Sequence, residues 1–338
     1  MTISLDYGGG GAKSSELIKQ VRKILGGAGK WQNSGDDSAS LALSKINLSK
    51  KACQNQHLLL TTDAFIVDPI FFPGGDIGKI AVCGTINDLA VMGARPLGIS
   101  LSIVVEEGFP KADFLKIIKS IAKVSKEAGV PIVTGDTKVT EKGKLDKIEI
   151  TTAGIGMAEK VINNAGAQVG DVVIASGDLG EHTVALLSER FGYRSRVSSD
   201  CKPIDKEMLA IGKFVHAAKD PTRGGLAANL VEMAEKSKVK IVLDENFLPY
   251  KKETIALGGL LGIDIFSFAS EGRFLATVSE KDAAKVLRIL KKFNAQAKII
   301  GKVQKPVRRR GGGIYLQTKL GSLRPIEMPN GKLIPRIC

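Results

Sequence analysis

Apolar residues along this chain fall into two alternating kinds of pattern. Over 112–128 they recur at Phe114, Ile117, Ile118, Ile121, Ala122 and Val124, which predicts a helix with one buried face. Short apolar runs bounded by turn residues predict strands at 58–62, 132–134 and 148–155. The run 97–105 alternates poorly, as a strand buried on both faces would. Between these, Pro73-Gly74-Gly75 introduces a helix over 76–93. The second half repeats the alternation, with strands at 172–176, 241–243 and 297–300 and helices at 182–190, 224–236 and 281–293. A polar, glycine-containing connection, NNAGAQVGD, separates the halves near 165, so the pattern predicts two domains of mixed α/β (α+β) class.

The two ends break this pattern. Residues 1–40 hold Gly8 to Gly11, a helix-like stretch over 14–25, then Gly26, Gly27 and Gly29, and read as a cover segment outside the core. After about 323 the periodicity fades. Pro325, Pro329, Gly331 and Pro335 disfavour helix and central strand, so 324–338 reads as a flexible tail. Fourteen extended residues span roughly 45 Å, enough to carry a terminal side chain into a cleft elsewhere. The domains are then expected at 41–164 and 165–323.

Composition narrows the class. A chain of 338 residues has room for two buried cores. The longest apolar candidate, 80–92, is interrupted by Asn87 and Asp88, and the first residues lack the pattern of an export signal. A soluble, cytoplasmic protein without a membrane partner is expected. The net charge of +14 is compatible with nucleic acid, an anionic substrate or an acidic partner. Lysines and arginines are dispersed, only Arg308 to Arg310 form a run, and no basic stripe interleaves with aromatics, which argues against a nucleic-acid partner. Cys53, Cys83, Cys201 and Cys338 form no CxxC pair and imply neither zinc nor a disulfide framework. Three of them read as small buried hydrophobes. Cys338 ends a Pro/Gly tail, a placement that suits a carrier.

Acidic residues recur at the ends of predicted strands beside Gly or Thr: Asp36-Asp37, Asp63, Asp76, Asp88 and Asp136. Any one of them is accounted for by a helix cap or a turn. Together, all in the first half, they suit a shared site in which Mg²⁺ holds a triphosphate. FFPGGDIGK, with Gly75 and Asp76, looks like a phosphate loop but lacks the Walker spacing. VTGDTKV sets Asp136, Thr137 and Lys138 just after a strand, where Lys138 is either a phosphate clamp or a solvated lysine. In DPTRGGL, Arg223 is available to an anion beside a tight turn into a helix. His57, His182 and His216 are scattered and read as structural, although His182 sits at a predicted helix start.

TTDAFIVDPIFFPGGDIGKIAVCGTINDLAVMGARP, PIVTGDTKV, ITTAGIG, DPTRGGLAANLVEMA and the terminal PRIC resemble the hydrogenase maturation factor HypE family of carbamoyl dehydratases, over nearly the whole chain. The wider group contains aminoimidazole ribonucleotide synthetase, selenophosphate synthetase and thiamine-monophosphate kinase, all users of ATP. The resemblance implies an aminoimidazole ribonucleotide synthetase-like fold and a homodimer whose N-terminal sheets pair. It implies a carbamoyltransferase partner that loads Cys338, and ATP-dependent dehydration of the S-carbamoyl group to S-cyanocysteine. The cyano group would pass to an iron-carrying maturation complex and become a ligand of the [NiFe]-hydrogenase centre. By similarity, Asp37, Asp63, Asp88 and Asp136 hold metal and phosphates, with Gly75, Asn87 and Thr137 nearby. Lys138 would polarise the amide oxygen and Glu271 would act as base. Three segments depart from the family pattern: Ser270-Glu271-Gly272-Arg273 replaces Asn-Glu-Gly-Lys, Gly180-Glu181-His182-Thr183 replaces Gly-Asp-His-Gly, and Asp6-Tyr7-Gly8 stands where His-Gly is usual. A small-molecule ATP-dependent ligase or kinase of the same superfamily is the alternative enzyme, and a basic nucleic-acid-binding protein the non-enzymatic one.

Overall fold

A computed structural model describes residues 3, 11–26, 28–46, 55–306, 312–329 and 336–338. The first half comprises α1 (Ala12–Leu25), β1 (Ala39–Ala42), β2 (His57–Phe65), β3 (Phe71–Phe72), β4 (Gly75–Asp76), α2 (Ile77–Val91), β5 (Arg95–Glu106), α3 (Lys111–Ala128), β6 (Ile132–Thr140) and β7 (Ile148–Ala158). Five of its strands form a sheet in the order β1-β2-β7-β5-β6. All its pairings are antiparallel except β5 with β6, whose crossover is α3.

The second half comprises β8 (Asp171–Ala175), α4 (Glu181–Phe191), α5 (Asp205–Ile211), β9 (Val215–Lys219), α6 (Gly225–Ser237), β10 (Lys240–Asp244), α7 (Lys252–Leu261), β11 (Leu275–Ser279), α8 (Glu280–Leu290), β12 (Lys298–Gln304), β13 (Gly313–Gln317) and β14 (Leu323–Ile326). Its seven strands run β14-β13-β10-β12-β8-β11-β9. The mixed α/β expectation holds in both halves.

Helix α2 joins them. Apolar residues surround its axis, so almost every side chain is buried. Ile77 to Ile86 pack into the core of the first domain. Leu89 to Met92 pack with Val172, Met208 and Phe274 of the second. Asp76 caps the helix by accepting from the Lys79 amide at 2.9 Å. Gly154 of β7 lets the helix lie on the sheet, since a Cβ there would stand 2.5 Å from the Thr85 methyl. Asp88 is thereby held at the seam between the domains.

Four expectations need correction. The cover does not extend to residue 40: Gln32 bridges Ser40, and β1 is already part of the first sheet. The tail does not begin at 324, because β14 pairs with β13 as an edge strand, the one sheet position that accepts Pro325. Strand β5 is not buried on both faces, since Leu97 and Ser102 are exposed on one. Asp136, Thr137 and Lys138 lie within β6, which continues to Thr140, and not after it. The Asp6-Tyr7-Gly8 departure, Cys53 and the Arg308–Arg310 run lie outside the described residues. Among the described residues no helix is long and apolar enough to cross a membrane.

Candidate active site

Four carboxylates converge where the two domains meet. Asp63 is on the inward face of β2, two residues from Thr61, and strand alternation turns both toward α2. The Thr61 hydroxyl is shared between the Asp88 carboxylate at 2.7 Å and the Asp37 carbonyl at 2.9 Å. Asp37 also faces Lys219 at 3.4 Å, and Lys219 binds Glu232 at 2.8 Å. Asp220, the residue after β9, completes the group. Burial raises all four, and mutual repulsion adds to this at Asp88 and Asp220. Asp88 is pushed well above the usual carboxylate range and Asp220 to about 8. Burial alone would lower Lys219, but Asp37 and Glu232 outweigh it and keep the ammonium charged.

Oδ2 of Asp37 and Oδ2 of Asp220 are buried without a hydrogen-bond partner. Orphaned, mutually repelling carboxylate oxygens are the chemistry a hard divalent cation relieves. Among the described residues no group of three or more His, Cys, Asp or Glu side chains is placed to hold a metal ion by itself. An Mg²⁺ ion held here would have to draw much of its shell from phosphate and water.

The end of the chain lies in the same cleft. Ile337 is buried against the first domain's core, and Cys338 is half-buried. Burial pushes the Cys338 thiol up to about 12, Arg223 opposes this, and Glu271, Asp63 and Asp220 reinforce it. Arg223 is an exposed residue at the cleft, and its guanidinium is raised first by Cys338, then by Asp63, Glu271 and Asp88. Cysteine, arginine and carboxylates therefore share one electrostatic neighbourhood.

Glu271 is 2% exposed, and its Oε1 has no partner. Burial raises it well above the usual range, Cys201, Asp220 and Asp200 add to the effect, and Arg223 resists it. Its amide donates to Asp200 at 2.9 Å, which fixes the loop. The flanking departures from the family pattern fit each other. Arg273 binds Glu181 at 2.9 Å, and the Ser270 hydroxyl accepts from the Gly180 amide at 2.8 Å.

The chain does not bring every predicted residue here. Across the first sheet, Asp63 pairs with Thr152, Thr152 with Leu101 and Leu101 with Gly135. Asp136, next to Gly135, is thus three strands away, about 14 Å. Lys138 is two residues further along the edge strand. Its side chain is 75% exposed and faces only Asp136, at 3.8 Å. Thr137 shares that exposed edge.

Asn87 is not free for phosphate. Its amide donates to the carbonyls of Lys202 and Glu271 at 3.2 and 3.0 Å and accepts from the Ile204 amide at 3.0 Å. It is a strut between the domains. Gly75 sits in the β3–β4 hairpin, where a Cβ would stand 3.0 Å from the Phe72 ring. Sequence reading missed Asp220. The signal was present, since DPTRGGL sets a carboxylate after a strand as the first-half motifs do.

Residues 35–158 match the N-terminal domain, and residues 168–311 the C-terminal domain, of AIR synthase related proteins. The fold and the carboxylate cleft thus define a two-domain protein of that class. Carbamoyl dehydratase HypE of Cupriavidus necator is 39% identical over 345 residues, covering 99% of this chain and 95% of that protein. A crystal structure of the hydrogenase maturation protein HypE in complex with ATP has a TM-score of 0.81 at 34% identity, covering 100% of both chains. The crystal structure of a HypE–HypF complex gives 0.82 at 37% identity, covering 93% of this chain and 99% of that one. This chain belongs to the HypE family of carbamoyl dehydratases.

Proposed function

We propose that this protein dehydrates an S-carbamoyl group on its own Cys338 to S-cyanocysteine, using ATP, in hydrogenase maturation. The observation that carries this reading is the seating of the terminal cysteine among Arg223, Glu271 and the carboxylates. A group carried on that sulfur lies beside the Arg223 cation and the Glu271 carboxyl, where an acid–base step can act on it.

The amide oxygen is a poor leaving group until it is phosphorylated. In the first step it attacks the γ-phosphorus of ATP, a P–O bond forms, ADP departs, and one N–H proton is lost. In the second step the remaining N–H proton is removed, the C–O bond breaks and phosphate leaves, giving the nitrile on sulfur. Glu271, buried with an unpartnered oxygen and raised basicity, takes the nitrogen protons. Arg223 places a cation beside the group on Cys338. Asp37, Asp63, Asp88 and Asp220 would hold Mg²⁺, which supplies charge neutralisation at the phosphates.

Lys138 enters from a second copy of the chain. The edge strand β6 leaves one side unpaired, with Val133 and Val139 exposed, and Leu60, Leu97 and Ile155 are exposed on the same sheet. Such an edge is a template for pairing with another chain. A homodimer joined through these sheets would carry Asp136, Thr137 and Lys138 toward the other copy's cleft, where Lys138 stabilises the amide oxygen. A carbamoyltransferase of the kind captured in the HypE–HypF complex loads Cys338, and an iron-carrying maturation complex in the cytoplasm receives the cyano group.

The test is intact-protein mass spectrometry with the transferase, carbamoyl phosphate and ATP. Cys338 should gain the carbamoyl mass and then lose the mass of water. Persistence of both changes in Cys338→Ala would exclude the carrier role.

A further inference from the structure

The C-terminal residues are held by their main chain. The Ile66 amide donates to the Cys338 carbonyl at 3.3 Å and the Asp68 amide to the Arg336 carbonyl at 3.1 Å. The two bonds fall at alternate residues on both sides, in antiparallel order, although Arg336, with φ 53°, is not in extended conformation. Between them the Ile337 carbonyl points the other way and accepts from Nε2 of His182 at 2.7 Å. The Ile337 side chain is 5% exposed and packs into the core that includes Val67 and Phe72.

His182 and Arg190 stand about two turns apart on α4, so the second domain supplies them, whereas Ile66 and Asp68 belong to the first. The imidazole's role is fixed by its surroundings. The Ile337 carbonyl can only accept, so in the neutral ring Nδ1 is left to accept from the Ser199 hydroxyl, 2.8 Å away, which itself accepts from the Cys201 amide at 3.1 Å. Nε2 therefore carries the ring proton and donates to the tail. The Phe72 ring meets the imidazole edge-on at 5.2 Å. Arg190 donates to the Asp68 carbonyl at 2.9 Å and to the Arg336 carbonyl at 3.0 Å, tying the tail to the segment it pairs with. Arg336 adds an ion pair with Asp146. None of these contacts uses the Cys338 side chain.

We propose that His182 and Arg190 are positioning residues that grip the tail by the carbonyls of Ile337 and Arg336, with Ile337 as the plug that sets the register. Cys338 then presents its sulfur to the Arg223–Glu271 cleft whatever group it carries. This rests on the dehydratase reading for its kinetic consequence, though not for the docking itself. Because the grip joins both domains, it forms only where the two are closed on each other.

The experiment uses the full-length chain with His182→Phe, His182→Gln and Ile337→Ser. Phenylalanine keeps an aromatic ring but removes the donor, while glutamine restores an N–H. Ile337→Ser removes the plug, and because Ile337 packs in the first domain's core, urea unfolding of this variant beside wild type checks that the domains stay folded. After loading by the transferase, single-turnover conversion of carbamoyl to cyano should fall about tenfold or more in His182→Phe and Ile337→Ser. Loading and nucleotide affinity should stay at the wild-type level, and His182→Gln should recover most of the rate. In parallel, alkylation of unloaded Cys338 by iodoacetamide should accelerate in His182→Phe and Ile337→Ser and not in His182→Gln. Wild-type conversion and alkylation in both impaired variants would overturn the grip. So would a defect in His182→Phe that glutamine fails to rescue. If wild type itself shows no ATP-dependent conversion, the dehydratase reading fails while the alkylation series still decides the docking.

Discussion

The chain's last three residues and its edge strand β6 carry the two most distinctive motifs, and they stand in opposite conditions. Residues 336–338 are tied down by bonds from both domains, and Ile337 is buried. Strand β6 is exposed along nearly its whole length, and Lys138 faces only Asp136 beside it. One chain therefore assembles Cys338, Glu271 and the buried carboxylates, while Lys138 faces solvent. Under the proposed dimer, each cleft borrows that side from its mate.

Mixing is the strongest way to break this contrast. Lys138→Ala and Glu271→Gln should each lower dehydration by about a hundredfold or more when pure. Co-expressed in equal amounts, they form mixed dimers in which one cleft has both native residues and the other has neither. Random pairing then restores about a quarter of wild-type activity. A mixture no more active than its parents would show that Lys138 and Glu271 do not meet across two copies.

The tail side can be sharpened with pH. Burial holds His182 near 4, below its ordinary value, and the groups around it are the Ser199 hydroxyl, the Ile337 carbonyl and the Phe72 ring, none of them charged. A depressed histidine gives stability that is complete above about pH 6.5 and drains away as pH falls toward 4. Asp88, Asp220 and Glu271 act in the opposite sense, because carboxyls raised in the fold relieve a cost on acidification. The informative quantity is therefore the difference between wild type and His182→Gln in urea unfolding. Between pH 7 and 4.5 wild type should lose about 2–3 kcal/mol relative to the variant. Parallel pH profiles would mean that the imidazole is not buried behind the tail.

Stability separates the two regions again. Asn87 is 1% exposed and bonds three backbone groups of the second domain, so Asn87→Ala should cost about 2 kcal/mol. Lys138→Ala removes an exposed contact and should change monomer stability by less than about 0.5 kcal/mol. A loss that grows on dilution would instead reveal the strand's burial in a dimer.

How legible each region was in the sequence follows from the range of the forces that shape it. Helices such as 76–93 and 112–128 were readable because capping and apolar spacing are local. The carboxylates Asp37, Asp63 and Asp88 were readable by type, since strand ends beside Gly or Thr recur. Strands β9 and β11 were not, because short strands buried on both faces carry no alternation to detect. The strut role of Asn87 was hidden for another reason: its partners lie more than a hundred residues away. Cys338 stood out by its place at the end of a Pro/Gly tail, whereas the main-chain bonds that hold it did not, because such bonds leave no trace in side-chain identity.

The carboxylate group offers the finest comparison, between Asp220 in the cleft and Asp136 on the edge strand. Sequence reading placed Asp136 among the metal ligands, and the geometry supplies Asp220 within the same chain. Asp220→Asn removes a charge from a crowded buried cluster, which eases repulsion in the empty site but takes away a ligand. Mg²⁺-dependent binding of a non-hydrolysable ATP analogue should therefore weaken about tenfold while unfolding stability holds or rises. Asp136→Asn should leave that binding closer to wild type, because its carboxylate sits at a solvated edge and already faces Lys138. Isothermal titration at varied Mg²⁺ measures both. If Asp136→Asn proves the more damaging, the mate's strand supplies a metal ligand as well as a lysine, and the cleft is less self-sufficient than one chain suggests.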